Sequence, residues 1–204
     1  MAPGTGRGSS RSTAGSGVET EQSFIAAATR LFAERGYKGT SISDLARELN
    51  LTTASLYYYV EGKQELLVKV LETGMSDFVI RLQAIADGDE GPREKLAKAI
   101  ENHVDFVITR RDVVRIFLRQ RSELTADSQR HYQELLDRYQ RLFTDILVEA
   151  RPRVAQTMDT VLMRQAVLGM INSLVEWYTP DGRLGPEEIK AQLTSAIADH
   201  LLGE

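Results

Sequence analysis

Hydrophobic residues recur at intervals of three and four along most of the chain, which is the periodicity of amphipathic α-helices. No stretch convincingly predicts a β-strand. The pattern therefore predicts an all-α protein of about nine helices. They are residues 19–36, 42–49, 53–59, 63–86, 92–109, 112–121, 125–150, 157–178 and 186–202.

Residues 41–60, SISDLARELNLTTASLYYYV, contain two short predicted helices joined by a tight turn. Ser41 followed three residues later by Asp44 is typical of a capped helix start. Asn50 tolerates the left-handed conformation in which helices end, and Thr52 can cap the next helix. These signals predict a helix-turn-helix.

The second helix of this motif has hydroxyl groups on its outward side, since Leu56 and Val60 turn inward. Its outward residues are Thr53, Ser55, Tyr57 and Tyr58. An exposed helix of this kind is typical of DNA-binding helix-turn-helix proteins. Short helical hairpins also occur in other all-α proteins, so the motif needs support from its flanks.

Four segments between residues 24 and 67 give that support: LFAERGYKGTS, an IxxLA core, LYYYV and KQELL. Together they closely resemble the DNA-binding domain of the TetR family of bacterial transcriptional regulators. The resemblance implies a three-helix DNA-binding domain at residues 18–62. Residues 63–204 would form a helical bundle that binds a ligand and dimerises. Residues 1–17 are rich in Gly and Ser, which predicts a disordered arm.

By this resemblance, the second helix of the motif enters the major groove of operator DNA. Thr53, Ser55 and Tyr58 are then placed to specify sequence, and Tyr57 to contact a phosphate. The full set of predicted DNA contacts is Thr40, Ser41, Thr52, Thr53, Ser55, Tyr57, Tyr58 and Lys63. Tyr59 fits packing between the domains as well as it fits DNA contact.

The charge balance changes the expected mode of DNA binding. The whole chain has a formal net charge of −4, and residues 19–65 contain five basic and seven acidic residues. Hydroxyls, backbone amides and helix N-termini must therefore supply much of the anchoring. This predicts a modest dependence of DNA affinity on salt.

Residues 161–178 are apolar around much of the helix circumference, which predicts burial on both sides. With residues 186–202, this helix can form a four-helix interface with a second copy of the chain. We therefore expect a homodimer through helices near 157–178 and 186–202. An interior helix of a monomer is the alternative.

The helical bundle is the expected place for a small-molecule effector. The candidate lining residues are Phe78, Leu82, Val104, Ile108, Phe117, Leu118, Arg119, Arg121, Tyr139, Phe143, Met170, Leu174 and Trp177. The segments FLRQRSEL and EWYTPDGRLGPEEI look like those of TetR regulators of fatty-acid and steroid catabolism, whose ligands are acyl-CoA thioesters. Arg119 and Arg121 could then hold an anionic head, although a solvated or salt-bridged face also explains Arg119.

Several classes of protein are disfavoured by the sequence. Cysteine is absent, and His103, His131 and His200 lie on three different predicted helices, without a catalytic or metal motif. We therefore expect neither enzyme activity nor a metal or cofactor. No apolar run is long enough to span a bilayer and no signal peptide is evident, which favours the cytoplasm. The favoured function is a ligand-released repressor; an activator, a ligand-independent regulator and a helical protein–protein adaptor remain alternatives.

Overall fold

A computed structural model of the protein describes residues 13–201, and within that range it consists of helices joined by short turns, without a β-strand. The expected all-α class is therefore confirmed. The helices are α1 Thr13–Arg35, α2 Ile42–Glu48, α3 Thr53–Tyr57, α4 Lys63–Asp87, α5 Pro92–Thr109, α6 Arg111–Gln120, α7 Ala126–Ala150, α8 Pro152–Thr157, α9 Thr160–Asn172, α10 Leu174–Trp177 and α11 Pro186–Ser195. A 3-10 turn, Arg121–Glu123, follows α6, and a π-helical turn, Ala196–Leu201, follows α11.

The first three helices form a small unit around one apolar cluster. Phe24, Leu31 and Phe32 on α1 are fully buried together with Leu45 of α2 and Leu56 of α3. These residues are the inward positions of the three amphipathic patterns, so burial of one face explains why such short helices are stable. The predicted three-helix arrangement is confirmed.

The remaining helices form a bundle. The helix α4 packs along α7 and also contacts α1, while α5 contacts α4, α7 and α11. The long helix α4 therefore belongs to both parts of the molecule. Gly74 allows α4 to lie close to α6, because a Cβ atom at this position would be only 2.5 Å from Cγ1 of Val113.

Some helix boundaries differ from the expectation. The helix α1 begins at Thr13, six residues before the predicted start, so residues 13–17 of the predicted arm are helical. The rest of that arm lies outside the described residues. At the C-terminal end, regular α-helix stops at Ser195 and a π-helical turn continues to Leu201.

The predicted helix 157–178 is divided. Pro152 starts the additional short helix α8, because proline suits the first turn of a helix. Asp159, rather than Thr157, caps α9, and its carboxylate accepts a hydrogen bond from the Leu162 amide (2.9 Å). At Ser173 the hydroxyl donates to the Met170 carbonyl (2.7 Å), and this local bond accompanies the break between α9 and α10.

No helix within residues 13–201 is both long enough and apolar enough to cross a membrane.

Candidate DNA-binding surface and effector cavity

The start of α2 is fixed by reciprocal side-chain bonds. The Ser41 hydroxyl accepts from the Asp44 amide (3.1 Å), and the Asp44 carboxylate accepts from the Ser41 amide (2.9 Å). The predicted capping box is confirmed. The bonds from the Ser41 hydroxyl and, to a smaller extent, the Ser41 amide lower the pKa of the Asp44 carboxyl.

The turn after α2 depends on Asn50, which has a φ of 54°. The Leu51 amide donates to the Ala46 carbonyl (2.8 Å), and the Asn50 amide donates to the Arg47 carbonyl (3.2 Å). This pair of bonds is the Schellman motif, which requires a left-handed residue at the position of Asn50. The tight turn fixes the angle at which α3 leaves α2.

The helix α3 presents the predicted hydroxyl-bearing surface. The Thr52 hydroxyl accepts from the Ser55 amide (3.1 Å) and lies 2.8 Å from the Ser55 hydroxyl. Thr53 is exposed, while Tyr57 and Tyr58 are 54% and 85% exposed. Two phenol rings and several hydroxyls therefore reach solvent on one short helix.

Two predicted DNA contacts, Thr40 and Lys63, bond to backbone carbonyls of residues 31–40. Thr40 is 1% exposed, and its hydroxyl lies 3.2 Å and 3.0 Å from the carbonyls of Leu31 and Gly36. The Lys63 ammonium donates to the carbonyls of Tyr37 (2.7 Å) and Thr40 (2.8 Å). Carbonyl groups at the end of α1 and just after it thus accept bonds from both side chains, and the expected phosphate contacts of Thr40 and Lys63 stay predictions.

Tyr59 packs rather than projecting freely. Its ring centroid is 5.1 Å from that of Phe24 on α1 and 5.1 Å from that of Tyr58. The α3 surface is therefore supported from behind by an aromatic contact to α1.

A cavity of about 160 Å³ lies inside the bundle. Five of the predicted lining residues, Phe78, Phe117, Leu118, Arg121 and Tyr139, do line it. Further apolar lining comes from Met75, Phe106, Val113, Val114, Leu136 and Leu168. Five helices, α4 to α7 and α9, thus enclose one mostly apolar space.

The other predicted lining residues lie elsewhere. Leu82, Val104, Phe143 and Leu174 are buried in the core outside the cavity lining. Ile108 lines a separate surface groove between α1, α4, α5 and α6. Met170 and Trp177 are exposed, and Arg119 pairs with Glu176 (2.8 Å) at the surface. Helical periodicity identifies a buried face but does not distinguish packed positions from those beside a cavity.

The cavity contains polar side chains that the sequence pattern did not identify. His103 is fully buried, with Nε2 3.0 Å from the Asn172 side-chain oxygen and Nδ1 2.7 Å from the Tyr139 hydroxyl. Because that amide oxygen can only accept, Nε2 carries the proton and Tyr139 donates to Nδ1. Burial lowers the pKa of His103 to about 4. The imidazole is therefore neutral at physiological pH.

Arg164 is the second unpredicted residue. It is 8% exposed and lines the cavity from α9, beside Gln140 and Gln165. His103 and Arg164 both occupy inward positions of otherwise apolar helix faces. A polar residue at such an inward position is the sequence feature from which these two cavity residues could have been predicted.

Glutamine side chains connect the cavity region to the DNA-binding unit. Gln120, at the end of α6, donates to the Phe32 carbonyl of α1 (2.7 Å). Gln64, on α4, donates to the Tyr37 hydroxyl (2.8 Å) and to the Glu123 carbonyl (2.8 Å). These bonds join α6 to the end of α1, and α4 to the segments that follow α1 and α6.

Four exposed large apolar side chains lie on α9 and α10. Leu162 is 59% exposed, Val161 50% and Trp177 53%, and Met170 is also exposed. Soluble proteins rarely leave such a surface uncovered.

Comparison with known proteins agrees with this geometry. Residues 24–70 match the family model for bacterial regulatory proteins of the tetR family, and residues 89–201 match the tetracyclin repressor-like C-terminal domain. The transcriptional repressor KstR2 of Mycolicibacterium smegmatis is 27% identical over 173 residues, covering 83% of this chain and 84% of KstR2. The fatty acid metabolism regulator protein of Bacillus subtilis is 23% identical over 154 residues, 74% of this chain and 79% of that protein.

Among solved structures, AibR in complex with isovaleryl coenzyme A and operator DNA has a TM-score of 0.76 and 25% identity. The match covers 86% of this chain and 96% of AibR.

Proposed function

The chain belongs to the TetR family of bacterial regulatory proteins and is a ligand-responsive transcriptional repressor, and we propose that a CoA thioester with a small acyl group releases it from a pseudo-palindromic operator. The enclosed cavity beside the DNA-binding unit is the observation that carries this proposal. The likeness to AibR, whose complex contains isovaleryl coenzyme A, supports the ligand class.

The proposed division of the chain places the DNA-binding domain at residues 18–62 and the ligand-binding, dimerising domain at residues 63–204. A regulator of bacterial genes must reach the chromosome, so we infer that the protein acts in the cytoplasm.

In the proposed complex with DNA, α3 enters the major groove. Thr53, Ser55 and Tyr58 contact base edges there, because they are the outward side chains of α3. Ser41, Thr52 and Tyr57 contact the backbone, and the free amides at the start of α3 add to this binding. Few cations take part, so we expect DNA affinity to fall only modestly with salt.

The size of the cavity selects the acyl group. A cavity of about 150 Å³ holds a molecule as large as benzene, and this cavity has a volume of about 160 Å³. A branched or short acyl chain therefore fits, whereas a long chain or a fused ring system does not fit this conformation. Arg121 is exposed at the cavity and lies over the Phe117 ring (5.3 Å), where it can reach a CoA phosphate. Arg119 keeps its partner Glu176.

We place the second subunit against α9, α10 and α11. The exposed Val161, Leu162, Met170 and Trp177 form an apolar surface that a two-fold related copy would cover. The two recognition helices of such a dimer must lie roughly 34–36 Å apart to contact successive major grooves.

Release from DNA follows from linkage between the two sites. A ligand that prefers a different position of α6 must weaken DNA binding by the same free energy with which DNA opposes the ligand. Gln120 and Gln64 connect α6 and α4 to the DNA-binding unit, so displacement of these helices alters the spacing of the recognition helices.

Fluorescence anisotropy tests the proposal. The purified protein is titrated into labelled DNA from its own upstream region, with and without CoA thioesters of acetyl, isovaleryl, octanoyl and palmitoyl groups. We expect competitor-resistant binding that a small branched or short acyl thioester abolishes, while free CoA and the palmitoyl thioester have little effect. If the protein binds its upstream DNA no more tightly than random DNA, the operator lies elsewhere in the genome. Genome-wide selection of bound fragments would then identify it. Indifference of the operator complex to every thioester would refute the ligand class.

A further inference from the structure

Arg164 is a buried cation in the wall of the cavity. One terminal nitrogen donates to the Thr144 hydroxyl (2.8 Å), and the other donates to the Gln140 side-chain oxygen (3.2 Å). Its Nε atom is fully buried and has no hydrogen-bond partner among the described residues. The guanidinium thus has one unused donor.

The charge of Arg164 is not neutralised by the described part of the chain. No carboxylate of these residues forms an ion pair with it, and both of its hydrogen-bond acceptors are neutral. The described cavity lining contains Arg164 and Arg121 but no aspartate or glutamate. A buried cation without a counter-charge is costly to a fold, so a partner from outside the chain would relieve that cost.

The neighbouring polar groups point in the same direction. His103 is neutral and its hydrogen bonds go to Tyr139 and Asn172, so it adds no charge and accepts nothing from Arg164. The Asn172 side-chain oxygen accepts from His103, which leaves the amide nitrogen of Asn172, beside the cavity, as a further donor. Arg164 and Asn172 therefore both carry donors without a partner among the described residues at this cavity.

We infer that the effector carries an anionic oxygen group into the cavity, where it pairs with the guanidinium of Arg164. The inference rests on the proposed function, because it concerns the same effector. Two sources of such a group suit a CoA thioester: a terminal carboxylate on the acyl chain or a phosphate of the CoA part. An arginine guanidinium recognises both, with charge-assisted hydrogen bonds.

Isothermal titration calorimetry of the full-length protein with four compounds separates these sources. Valeryl-CoA and glutaryl-CoA have acyl chains of equal length and differ in a terminal carboxylate. Valeryl-pantetheine lacks every phosphate, and free glutarate lacks the CoA part. Each compound is measured with wild-type protein and with Arg164→Met, which keeps much of the side-chain volume without the charge.

If the acyl carboxylate is the partner, glutaryl-CoA binds wild-type protein about tenfold or more tightly than valeryl-CoA, and Arg164→Met removes that ratio. If a phosphate is the partner, the two thioesters bind equally, and valeryl-pantetheine binds about tenfold or more weakly than valeryl-CoA. Arg164→Met then removes this second ratio. The inference is wrong if Arg164→Met leaves both ratios unchanged, or if none of the four compounds binds.

Control variants keep the result specific. Arg164→Lys retains the charge and should retain part of whichever ratio is found. Arg121→Met tests the exposed cavity arginine, and loss of the ratio there instead of at Arg164 would also contradict the inference. Arg141→Met, at an exposed position on α7, should change neither ratio. Circular dichroism melting establishes that each variant is folded.

The same titrations separate the inference from the proposed function. If the thioesters bind equally well to wild type and Arg164→Met, the proposed CoA ligand class stands and the inference about Arg164 is wrong. If only glutarate binds, and Arg164→Met abolishes its binding, then Arg164 does pair with an anion and the proposed CoA ligand class is wrong.

Discussion

Asn50 shows how a single backbone conformation determines the position of the DNA-contacting surface. Its positive φ of 54° closes the turn between α2 and α3, and the amide bonds of Asn50 and Leu51 depend on it. Asparagine adopts this conformation at little cost, glycine at less, and a β-branched residue only with strain.

Replacement of Asn50 tests this dependence. We expect Asn50→Val to lower the free energy of unfolding by about 1–2 kcal/mol, because a left-handed residue with a branched Cβ is strained. Asn50→Gly is the matched control and should change stability little. Urea unfolding gives both values, and equal stability of the two variants would contradict the role of the left-handed turn.

His103 should make stability depend on pH. Burial lowers its pKa to about 4 in the folded protein, whereas an unfolded histidine titrates near pH 6.5. The unfolded chain therefore binds the proton first as pH falls, and stability is lost below about pH 6.5. Between pH 7 and pH 5 we expect this residue to account for a loss of about 2 kcal/mol.

The measurement is the difference between wild type and His103→Gln in urea unfolding at the two pH values. The variant should lose less stability on acidification, since glutamine does not titrate. Parallel pH profiles of the two proteins would show that the pKa of His103 is the same in the folded and the unfolded chain.

Between elements, α4 lies close to α6 at Gly74. A methyl group there would meet Cγ1 of Val113 at 2.5 Å and Cγ2 at 2.9 Å, so Val113 would have to move. Val113 lines the cavity, so this crossing connects helix spacing to ligand volume.

We expect Gly74→Ala to destabilise the protein by about 1–3 kcal/mol through overpacking, despite the better helix propensity of alanine. Val113→Ala in the same chain should recover much of the loss, because it vacates the overlapping volume. A double-mutant cycle by thermal unfolding measures the coupling. Additive effects of the two substitutions would show that the helices separate freely.

The helices α9 and α10 present apolar side chains that the bundle does not cover. We expect Leu162→Glu to weaken the dimer at least about tenfold, because it buries a charge in the proposed interface. Ile80→Glu is the matched control, since Ile80 is 62% exposed but lies on α4, outside that face. Sedimentation equilibrium measures the dimer dissociation constant of each variant. Equal constants for Leu162→Glu and Ile80→Glu would show that the interface does not include Leu162.

Sequence periodicity predicted the helices well but not their polar contacts. The capping residues Ser41, Asn50 and Thr52 and the outward side of α3 could be derived because local bonding determines them. The inward turn of Lys63 could not, since its acceptors lie 23 and 26 residues away along the chain. The cavity depends on how five helices pack together, which no single helix pattern contains.

For the whole molecule, communication between cavity and DNA should depend on Gln120. We expect Gln120→Leu to bind operator DNA but to lose about 1 kcal/mol of the coupling free energy between effector and DNA, since its bond to α1 is absent. Anisotropy titrations with and without effector give the coupling. Lys38→Ala, which removes an exposed ion pair with Glu123, should leave the coupling nearly unchanged. If Gln120→Leu retains the wild-type coupling free energy, the bond from Gln120 to α1 does not transmit the effect of the ligand to the DNA-binding unit.

Trp177 is the only tryptophan of the chain, and it lies half exposed on the face assigned to the second copy. All of the indole emission of the protein therefore originates at one point of that face. The emission wavelength of an indole depends on its contact with water. The unlabelled protein therefore contains an intrinsic fluorescence probe of assembly. Protein concentration, temperature and effector can each be varied while the tryptophan emission reports whether this face is covered by a second copy.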